Sequence, residues 1–238
     1  QGEKHLKIEL WCGTPHVFLD GRTAVDAVGL KKEMGAYGVS AIALTCPSMS
    51  YQYQYSALPE HREQSLAYFS QGLKLACELE CPIMTLNSGW ALLDEPDSDA
   101  WKRAQDMIAC LARLAGRLGV SLAMESLRSD ETTLVNSLNR LLEMLKEVDS
   151  PSLKVTADTG ALCWAGESLE EWFQRLGDKL VHMHFIDGRR GETTHLVWGE
   201  GELPLPNMLE CMGHHNYQGY LVPELGGSRY LNDPERYD

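Results

Sequence analysis

Short apolar segments alternate with longer segments of mixed polarity along the whole chain, a pattern typical of alternating strands and helices. The predicted strands are 6–11, 39–46, 82–89, 120–126, 153–158, 179–186 and 219–224. The predicted helices are 23–38, 59–80, 98–118, 132–147, 168–176 and 205–215. Because a helix of ordinary length lies between each pair of strands, the pattern predicts βαβ units and a parallel sheet.

The order of these elements predicts a single α/β domain over residues 1–238, folded as a TIM (β/α)8 barrel. No segment rich in Pro, Gly and Ser divides the chain, and its 44% hydrophobic residues are enough for one large core. Seven strands are predicted rather than eight. Near the C-terminal end, Asp233 suits a helix cap and Pro234 suits a first helical position. A closed eight-stranded barrel would need one more βα unit before the first strand and a helix after the last, so either the chain is trimmed or the barrel is incomplete.

The last four predicted strands each carry an acidic residue or a histidine near the C-terminal end. These residues are Glu125, Asp158, His184 and Glu224. In a TIM barrel these strand ends open at one mouth, where barrel enzymes carry their chemistry. Carboxylate oxygens and a neutral imidazole suit Mn²⁺, Co²⁺, Mg²⁺ or Zn²⁺. The pattern therefore predicts a site for one divalent metal ion, although acidic residues also end strands by chance.

Other side chains near the predicted mouth are candidates for roles beside the metal. His182 and His184 point to the same side of their strand, because side chains alternate with period two, and we expect His182 to support the site or to pack in the core. Asp187 follows the same strand and could orient His184 or bind substrate. Three residues at or after predicted strand ends are candidates for substrate contact or for ordinary packing: Trp11, His16 and His195.

The net charge disfavours several classes of partner, and the cysteine content indicates the cellular location. The formal net charge of −13 disfavours nucleic acid and anionic membranes, and it leaves a small neutral or zwitterionic molecule as the more suitable partner. No apolar run approaches the ~20 residues that a membrane span needs. The seven cysteines include no CxxC pair, and the N-terminal segment shows no secretory pattern. We therefore expect reduced thiols and a cytoplasmic protein.

Four segments around these residues resemble the xylose isomerase-like TIM barrel family. They are AMESLRSDE (123–131), ADTGAL (157–162), HMHFIDGRRGETTHLVWGEGELPL (182–205) and VPELGGSRYLNDPERY (222–237). The resemblance extends over essentially the whole chain and is strongest to the ketose 3-epimerases of that family, in particular those acting on fructoselysine. It implies a TIM barrel in which the first βα unit and most of the last helix are absent here. It also implies one divalent ion such as manganese, bound by the four residues above, and a homo-oligomer.

The same resemblance implies two substrate-binding residues. Arg190 lies six residues after His184, and Glu131 lies six residues after Glu125. One departure concerns Ala161, because many ketose 3-epimerases have a histidine three residues after the metal-binding aspartate. The contact to one end of the sugar is therefore expected to differ, and the substrate with it.

These observations predict an isomerase, a metal-dependent 3-epimerase that interconverts C3 epimers of a ketose or of a fructosamine adduct of the fructoselysine/psicoselysine type. The reaction would pass through a metal-bound ene-diolate, with Glu125 and Glu224 also serving as alternating acid and base. An aldose–ketose or inosose isomerase would use the same chemistry. An inactive fragment or a binding protein is the alternative of another class. A DNA-repair endonuclease of the same superfamily is disfavoured by the net charge and by the single strong histidine motif.

Overall fold

Seven parallel strands form one sheet in the computed structural model, which describes residues 5–13, 16–47, 59–192, 195–225 and 230. The strands are β1 (Leu6–Trp11), β2 (Val39–Thr45), β3 (Ile83–Leu86), β4 (Ser121–Glu125), β5 (Leu153–Asp158), β6 (Leu180–His184) and β7 (Leu221–Val222). Each strand pairs in parallel with the next one in chain order. The predicted parallel sheet is therefore confirmed.

The sheet curls until its two edges approach each other. The Nζ atom of Lys7 on β1 lies 5.3 Å from the ring centre of Tyr220, which directly precedes β7. Across the interior, Glu9 Oε2 on β1 lies 3.1 Å from His184 Nε2 on β6. Because strands so far apart in the sheet can meet only when it closes on itself, these contacts define a nearly closed barrel, as the sequence predicts.

Seven α-helices with described bounds lie between the strands and pack against the sheet. They are α1 (Ala27–Ala36), α2 (Arg62–Glu78), α3 (Asp97–Leu118), α4 (Leu138–Val148), α5 (Thr159–Ala165), α6 (Leu169–Leu176) and α7 (Leu205–His214), with 3₁₀ turns at Pro59–His61 and Gly177–Lys179. None of the helices in the described part of the chain is long and apolar enough to cross a membrane. The helix start predicted at Asp233 lies outside the described residues.

Helix α5 is the one described α-helix that the sequence pattern does not predict. Asp158 ends β5, and its Oδ1 atom accepts a hydrogen bond from the backbone N–H of Ala161 at 2.6 Å. The same side chain therefore ends a strand and caps the helix that follows. This cap starts a helix within one residue of the strand, where the sequence alone indicates a loop.

Several predicted elements are shorter than expected, among them the third strand, and local contacts explain two further cases. The helix predicted from residue 132 begins at Leu138, because the hydroxyl of Thr132 donates to the carbonyl of Gly89 at 2.6 Å and Ser137 caps the helix. The strand predicted over 219–224 is reduced to two residues. Pro223 follows them and has no N–H to extend the pairing.

Small apolar residues fill the lower part of the barrel interior, and polar residues lie above them. The apolar cluster comprises Ala43, Ile83 and Ala123 on three neighbouring strands. Two positions later on these strands, and therefore on the same face, the chain has Thr45, Thr85 and Glu125. The outward-facing residues pack against the helices in a larger second core. The interior thus presents polar groups at the C-terminal mouth.

Candidate metal centre and active site

The structure brings together the four side chains that the sequence predicts as metal ligands. Glu125, Asp158 and His184 are the last residues of β4, β5 and β6, and Glu224 lies two residues after β7. One ligand atom from each lies within 4.8 Å of the others. Nδ1 of the imidazole is 2.8 Å from Glu125 Oε1, 3.1 Å from Glu224 Oε2 and 3.9 Å from Asp158 Oδ2. Three carboxylates and one imidazole therefore surround one point at the mouth.

Glu9 on β1 holds the imidazole ring of His184 in its orientation. The sequence did not assign this largely buried glutamate to the site. Glu9 Oε2 accepts hydrogen bonds from His184 Nε2 at 3.1 Å and from His182 Nε2 at 2.8 Å. Glu9 Oε1 accepts one from the hydroxyl of Thr45, which accepts one from Thr85 at 2.9 Å. Although burial opposes ionisation, the two histidines lower the pKa of Glu9 well below its usual range.

The cost of burying Glu9 is the signal that could have identified it in the sequence. It lies between Ile8 and Leu10 in an apolar strand, where a carboxylate needs hydrogen-bond partners. His182 supplies one partner, in agreement with the supporting role expected for it. The two histidines that contact Glu9 lie about 170 positions away in the chain. The local sequence pattern around Glu9 therefore cannot identify them.

The electrostatics of the centre favour a bound cation. Burial raises the pKa of Glu125 to about 7 despite the neighbouring imidazole. Burial also raises the pKa of Asp158, whose Oδ2 atom has no hydrogen-bond partner among the described residues. Burial opposes protonation of His184, but the carboxylates of Glu125 and Glu224 outweigh it and raise the pKa of the imidazole. The carboxylates thus favour positive charge at Nδ1 of His184, which is where a divalent ion would be held.

A cavity of about 230 Å³ opens at the mouth beside these residues. Its lining includes three of the residues expected to bind substrate, which are Trp11, Glu131 and His195. His195 Nδ1 lies 2.8 Å from the backbone oxygen of Glu224. Burial lowers the pKa of His195, but the carboxylates of Asp158 and Glu224 outweigh this effect and raise it. The cavity therefore joins the candidate metal centre to polar groups suited to hydroxyl-rich ligands.

Arg128 is a second residue of this cavity that the sequence reasoning missed. Its Nη2 atom lies 2.8 Å from Glu131 Oε1, and its backbone N–H donates to Glu131 Oε2 at 3.1 Å. Its guanidinium is also 5.9 Å from the ring centre of Trp164. A buried arginine held on two sides fixes the direction in which the Glu131 carboxylate points into the cavity.

The structure places the other two predicted substrate-binding residues away from this cavity. Arg190 is exposed and lines a separate cavity beside α6 and α7, and its backbone N–H donates to Glu202 Oε1 at 3.0 Å. His16 is also exposed, and its backbone N–H donates to the carbonyl of Gly13 at 2.9 Å. Neither belongs to the described lining of the mouth, so substrate contact by Arg190 and His16 stays a prediction.

Asp187 organises the loop after β6 and does not orient His184. Its carboxylate accepts hydrogen bonds from four backbone N–H groups, at 2.8–3.1 Å, of Gly188, Gly199, Gly201 and Leu203. A Cβ atom on Gly201 would lie 2.2 Å from Asp187 Oδ1, so only glycine fits there. The loop turns back through paired backbone hydrogen bonds between Asp187 and Leu196, which places His195 at the cavity.

Comparison with known proteins agrees with this architecture. The model of the xylose isomerase-like TIM barrel family matches residues 8–238. Fructoselysine 3-epimerase of Escherichia coli O157:H7 is 29% identical over 231 residues, which are 97% of this chain and 84% of that protein. D-psicose 3-epimerase of Ruminiclostridium cellulolyticum is 26% identical over 179 residues, which are 71% of this chain and 59% of that protein.

A solved structure shows the same fold. The crystal structure of a D-tagatose 3-epimerase-like protein superposes with a TM-score of 0.81 at 19% sequence identity, over 97% of this chain and 87% of that one. The named relatives are sugar epimerases, and therefore isomerases, as the sequence led us to expect. Because the family model spans nearly all of the sequence, the chain belongs to the xylose isomerase-like TIM barrel family.

Proposed function

We propose that this protein is a metal-dependent sugar 3-epimerase, which interconverts the C3 epimers of a ketose or of a fructosamine adduct of the fructoselysine/psicoselysine type. The 3-epimerases among its relatives support the reaction class. The candidate metal centre supports the metal dependence, with Mn²⁺, Co²⁺, Mg²⁺ or Zn²⁺ as suitable ions. A cytoplasmic location and a homo-oligomeric state stay predictions.

The observation that carries the proposal is the orientation of His184. Its Nε2 atom is directed at Glu9, and its Nδ1 atom faces Glu125 and Glu224. Opposite an ionised carboxylate, Nε2 must carry the proton, which leaves the Nδ1 lone pair free to bind a cation. The orphaned Oδ2 atom of Asp158 points to the same place, so the residues present fit a divalent ion.

In the proposed reaction a metal ion activates the substrate, and Glu125 and Glu224 transfer the protons. A divalent ion held there would act as a Lewis acid that makes the C–H group beside a substrate carbonyl more acidic. One of the two glutamates removes the C3 proton, and the other returns a proton to the opposite face of the planar intermediate. Their roles exchange in the reverse direction.

The remaining cavity residues suit recognition of a polyol. The ring of Trp11 would cover an apolar face of the sugar, while Glu131 and His195 would bind hydroxyl groups. Ala161 lines the same cavity and offers no polar group at the position where many ketose 3-epimerases have a histidine. This widens the cavity at one end of the sugar and favours a substrate with a substituent there, such as a sugar–amine adduct.

The proposal is tested by NMR in D₂O with a panel of ketoses and fructosamine adducts, after metal analysis of the purified chain. We expect deuterium at C3 of one substrate class and formation of its C3 epimer. Glu125→Gln and Glu224→Gln should each lower turnover by about 100- to 10,000-fold, the range for losing a general acid or base. The exposed Glu143→Gln is the matched control and should keep full activity.

Other outcomes of the same experiment would replace the proposal. Deuterium at C1 or C2 identifies an aldose–ketose isomerase, and binding of a sugar without any exchange identifies a binding protein. A Gln variant at Glu125 or Glu224 that retains metal and near-normal turnover contradicts the two-base scheme.

A further inference from the structure

Outside the barrel, a glutamate, a cysteine and a histidine bring three metal-binding atoms together between α6 and α7. Glu170 lies in the first turn of α6, Cys211 in the last turn of α7, and His215 directly after that helix. Their ligand atoms lie within 4.8 Å of one another. His215 Nε2 is 3.0 Å from Glu170 Oε1, and Cys211 Sγ is 3.4 Å from Glu170 Oε2.

The two helices hold these side chains in position. Cys211 and His215 are four residues apart, so their side chains lie on one helix face, and the backbone N–H of His215 donates to the carbonyl of Cys211 at 3.1 Å. The imidazole stacks on Phe173 of α6, with ring centres 4.9 Å apart and an interplanar angle of 8°. Ser168 caps α6 and so fixes the turn that carries Glu170.

The geometry points to a zinc site formed by Glu170, Cys211 and His215. Zinc binds thiolate, imidazole and carboxylate tetrahedrally at about 2.3, 2.0 and 2.1 Å, which sets neighbouring ligand atoms about 3.3–3.6 Å apart. His215 Nε2 and Cys211 Sγ lie 3.0 and 3.4 Å from the two different oxygens of Glu170, which is within a few tenths of an ångström of this range. One ligand atom from each of the three residues lies within 4.8 Å of the others. Small side-chain rotations would therefore complete the site without moving either helix.

The surroundings leave a fourth coordination position open. A cavity of about 470 Å³ borders Glu170 and Cys211 and has room for a water ligand. Zinc sites with three protein ligands keep such a fourth position for water. In the metal-free chain Cys211 and His215 both donate hydrogen bonds to Glu170. On binding, the S–H proton of Cys211 is released to solvent and His215 presents the lone pair of Nε2.

This site shares no residue with the candidate metal centre of the barrel, and it differs from that centre in chemistry. A thiolate favours zinc or cobalt, whereas three carboxylates and one imidazole also suit manganese and magnesium. Its ligands join α6 to α7, the helix that leads into β7 and Glu224. A bound ion would therefore tie together two helices next to the strands that carry His184 and Glu224.

The test is titration of the reduced, metal-stripped full chain with Co²⁺, followed by absorption spectroscopy. A cobalt–thiolate bond gives a charge-transfer band in the near ultraviolet, which carboxylate and imidazole ligands do not give. We expect this band in the wild type, and its loss together with one bound equivalent in Cys211→Ser. Cys163→Ser, which changes a second part-buried cysteine of the same cavity, should keep both. Absence of the band in the wild type, or its survival in Cys211→Ser, overturns the site.

A second pair of variants changes exposed side chains instead of the part-buried Cys211. Glu170 and Glu171 are neighbouring exposed glutamates of α6, so replacing either with glutamine leaves the fold intact. We expect Glu170→Gln to weaken binding of the thiolate-bound cobalt at least about tenfold, as loss of a metal contact does, and Glu171→Gln to leave it unchanged. Equal affinity of the two variants would remove Glu170 from the site and overturn the three-ligand proposal.

Discussion

Glu9 and Glu125 are both glutamates of the barrel interior in contact with His184, yet their surroundings move the pKa of the two carboxyl groups in opposite directions. Glu9 accepts hydrogen bonds from two imidazoles and a hydroxyl, which stabilise its charge. Glu125 shares its buried place with two further carboxylates, so its charge is costly until a cation arrives. One residue type thus serves as a fixed anion at one position and as a candidate acid, base and ligand at the other.

Replacing Glu9 with glutamine should weaken metal binding without touching a ligand. Glutamine keeps one oxygen for the two Nε2–H groups but carries no negative charge, and its NH₂ group would face the donor hydroxyl of Thr45. The Nε2–H group of His184 is therefore held less firmly than by the carboxylate. We expect the affinity for Mn²⁺, measured by titration calorimetry, to fall about 10- to 100-fold, as for other residues that orient metal ligands. Glu131→Gln changes another glutamate beside the cavity and should leave Mn²⁺ affinity unchanged. Wild-type affinity in Glu9→Gln would show that Glu9 does not position the imidazole.

At the scale of elements, the loop after β6 depends on one carboxylate. Both oxygens of Asp187 are occupied by backbone N–H groups from two separate stretches of the loop. These hydrogen bonds outweigh the cost of burial and lower the pKa of Asp187. Because the loop carries His195 to the cavity, this turn-forming carboxylate links local backbone geometry to the candidate site.

Asp187→Asn should destabilise the protein in a pH-dependent way. The pKa of Asp187 is lower in the folded state than in the unfolded state. The ionised carboxylate therefore contributes its full stabilisation above the unfolded-state pKa of about 4, and this stabilisation is lost as the pH falls through the folded-state pKa. We expect a loss of about 2 kcal/mol in the free energy of unfolding at pH 7, as for hydrogen bonds to a charged group. Urea unfolding at pH 7 and at pH 3 measures it.

The control for Asp187→Asn is the exposed Asp178→Asn, which should change stability by less than about 0.5 kcal/mol. The difference between Asp187→Asn and the wild type should narrow below pH ~4. A difference that stays constant across this range would mean that the charge of Asp187 makes no contribution.

At the scale of the whole molecule, barrel closure concentrates negative charge at one place. The formal net charge is −13, and three carboxylates of the mouth meet within 4.8 Å of one imidazole nitrogen. Close like charges in a partly buried site oppose folding unless protons or a cation balance them. The free energy of unfolding of the barrel should therefore increase when a metal ion binds. The extent of the single domain over 1–238 stays a prediction.

Removal of the metal should lower the melting temperature. Mn²⁺ at about 100 times its dissociation constant stabilises the folded state by about 2.7 kcal/mol. For a chain of this length that corresponds to a rise of about 5–10 °C over the chelator-treated protein, measured by differential scanning fluorimetry. The double variant Asp158→Asn/Glu224→Gln should show no rise with Mn²⁺. Equal melting temperatures of the metal-loaded and metal-free wild type would contradict a site at the mouth.

The sequence by itself determined the order of strands and helices and the residues at the strand ends. Hydrophobic periodicity and helix caps are local properties, so the predicted fifth strand agrees with Leu153–Asp158, whereas the third and seventh strands are shorter than predicted. The convergence of Glu125, Asp158, His184 and Glu224 followed from one general property of parallel barrels, in which every strand ends at the same mouth.

Only the tertiary structure decided which groups meet across the barrel. Glu9 lies on the first described strand and His184 on the sixth, and no local pattern relates them. The same holds for Asp187, whose backbone partners lie up to 16 residues away, and for Arg190, which the loop directs to a separate cavity. The alternation of side chains along a strand determines which face of the sheet a residue occupies. Closure of the sheet and the path of each loop determine which residue lies opposite it.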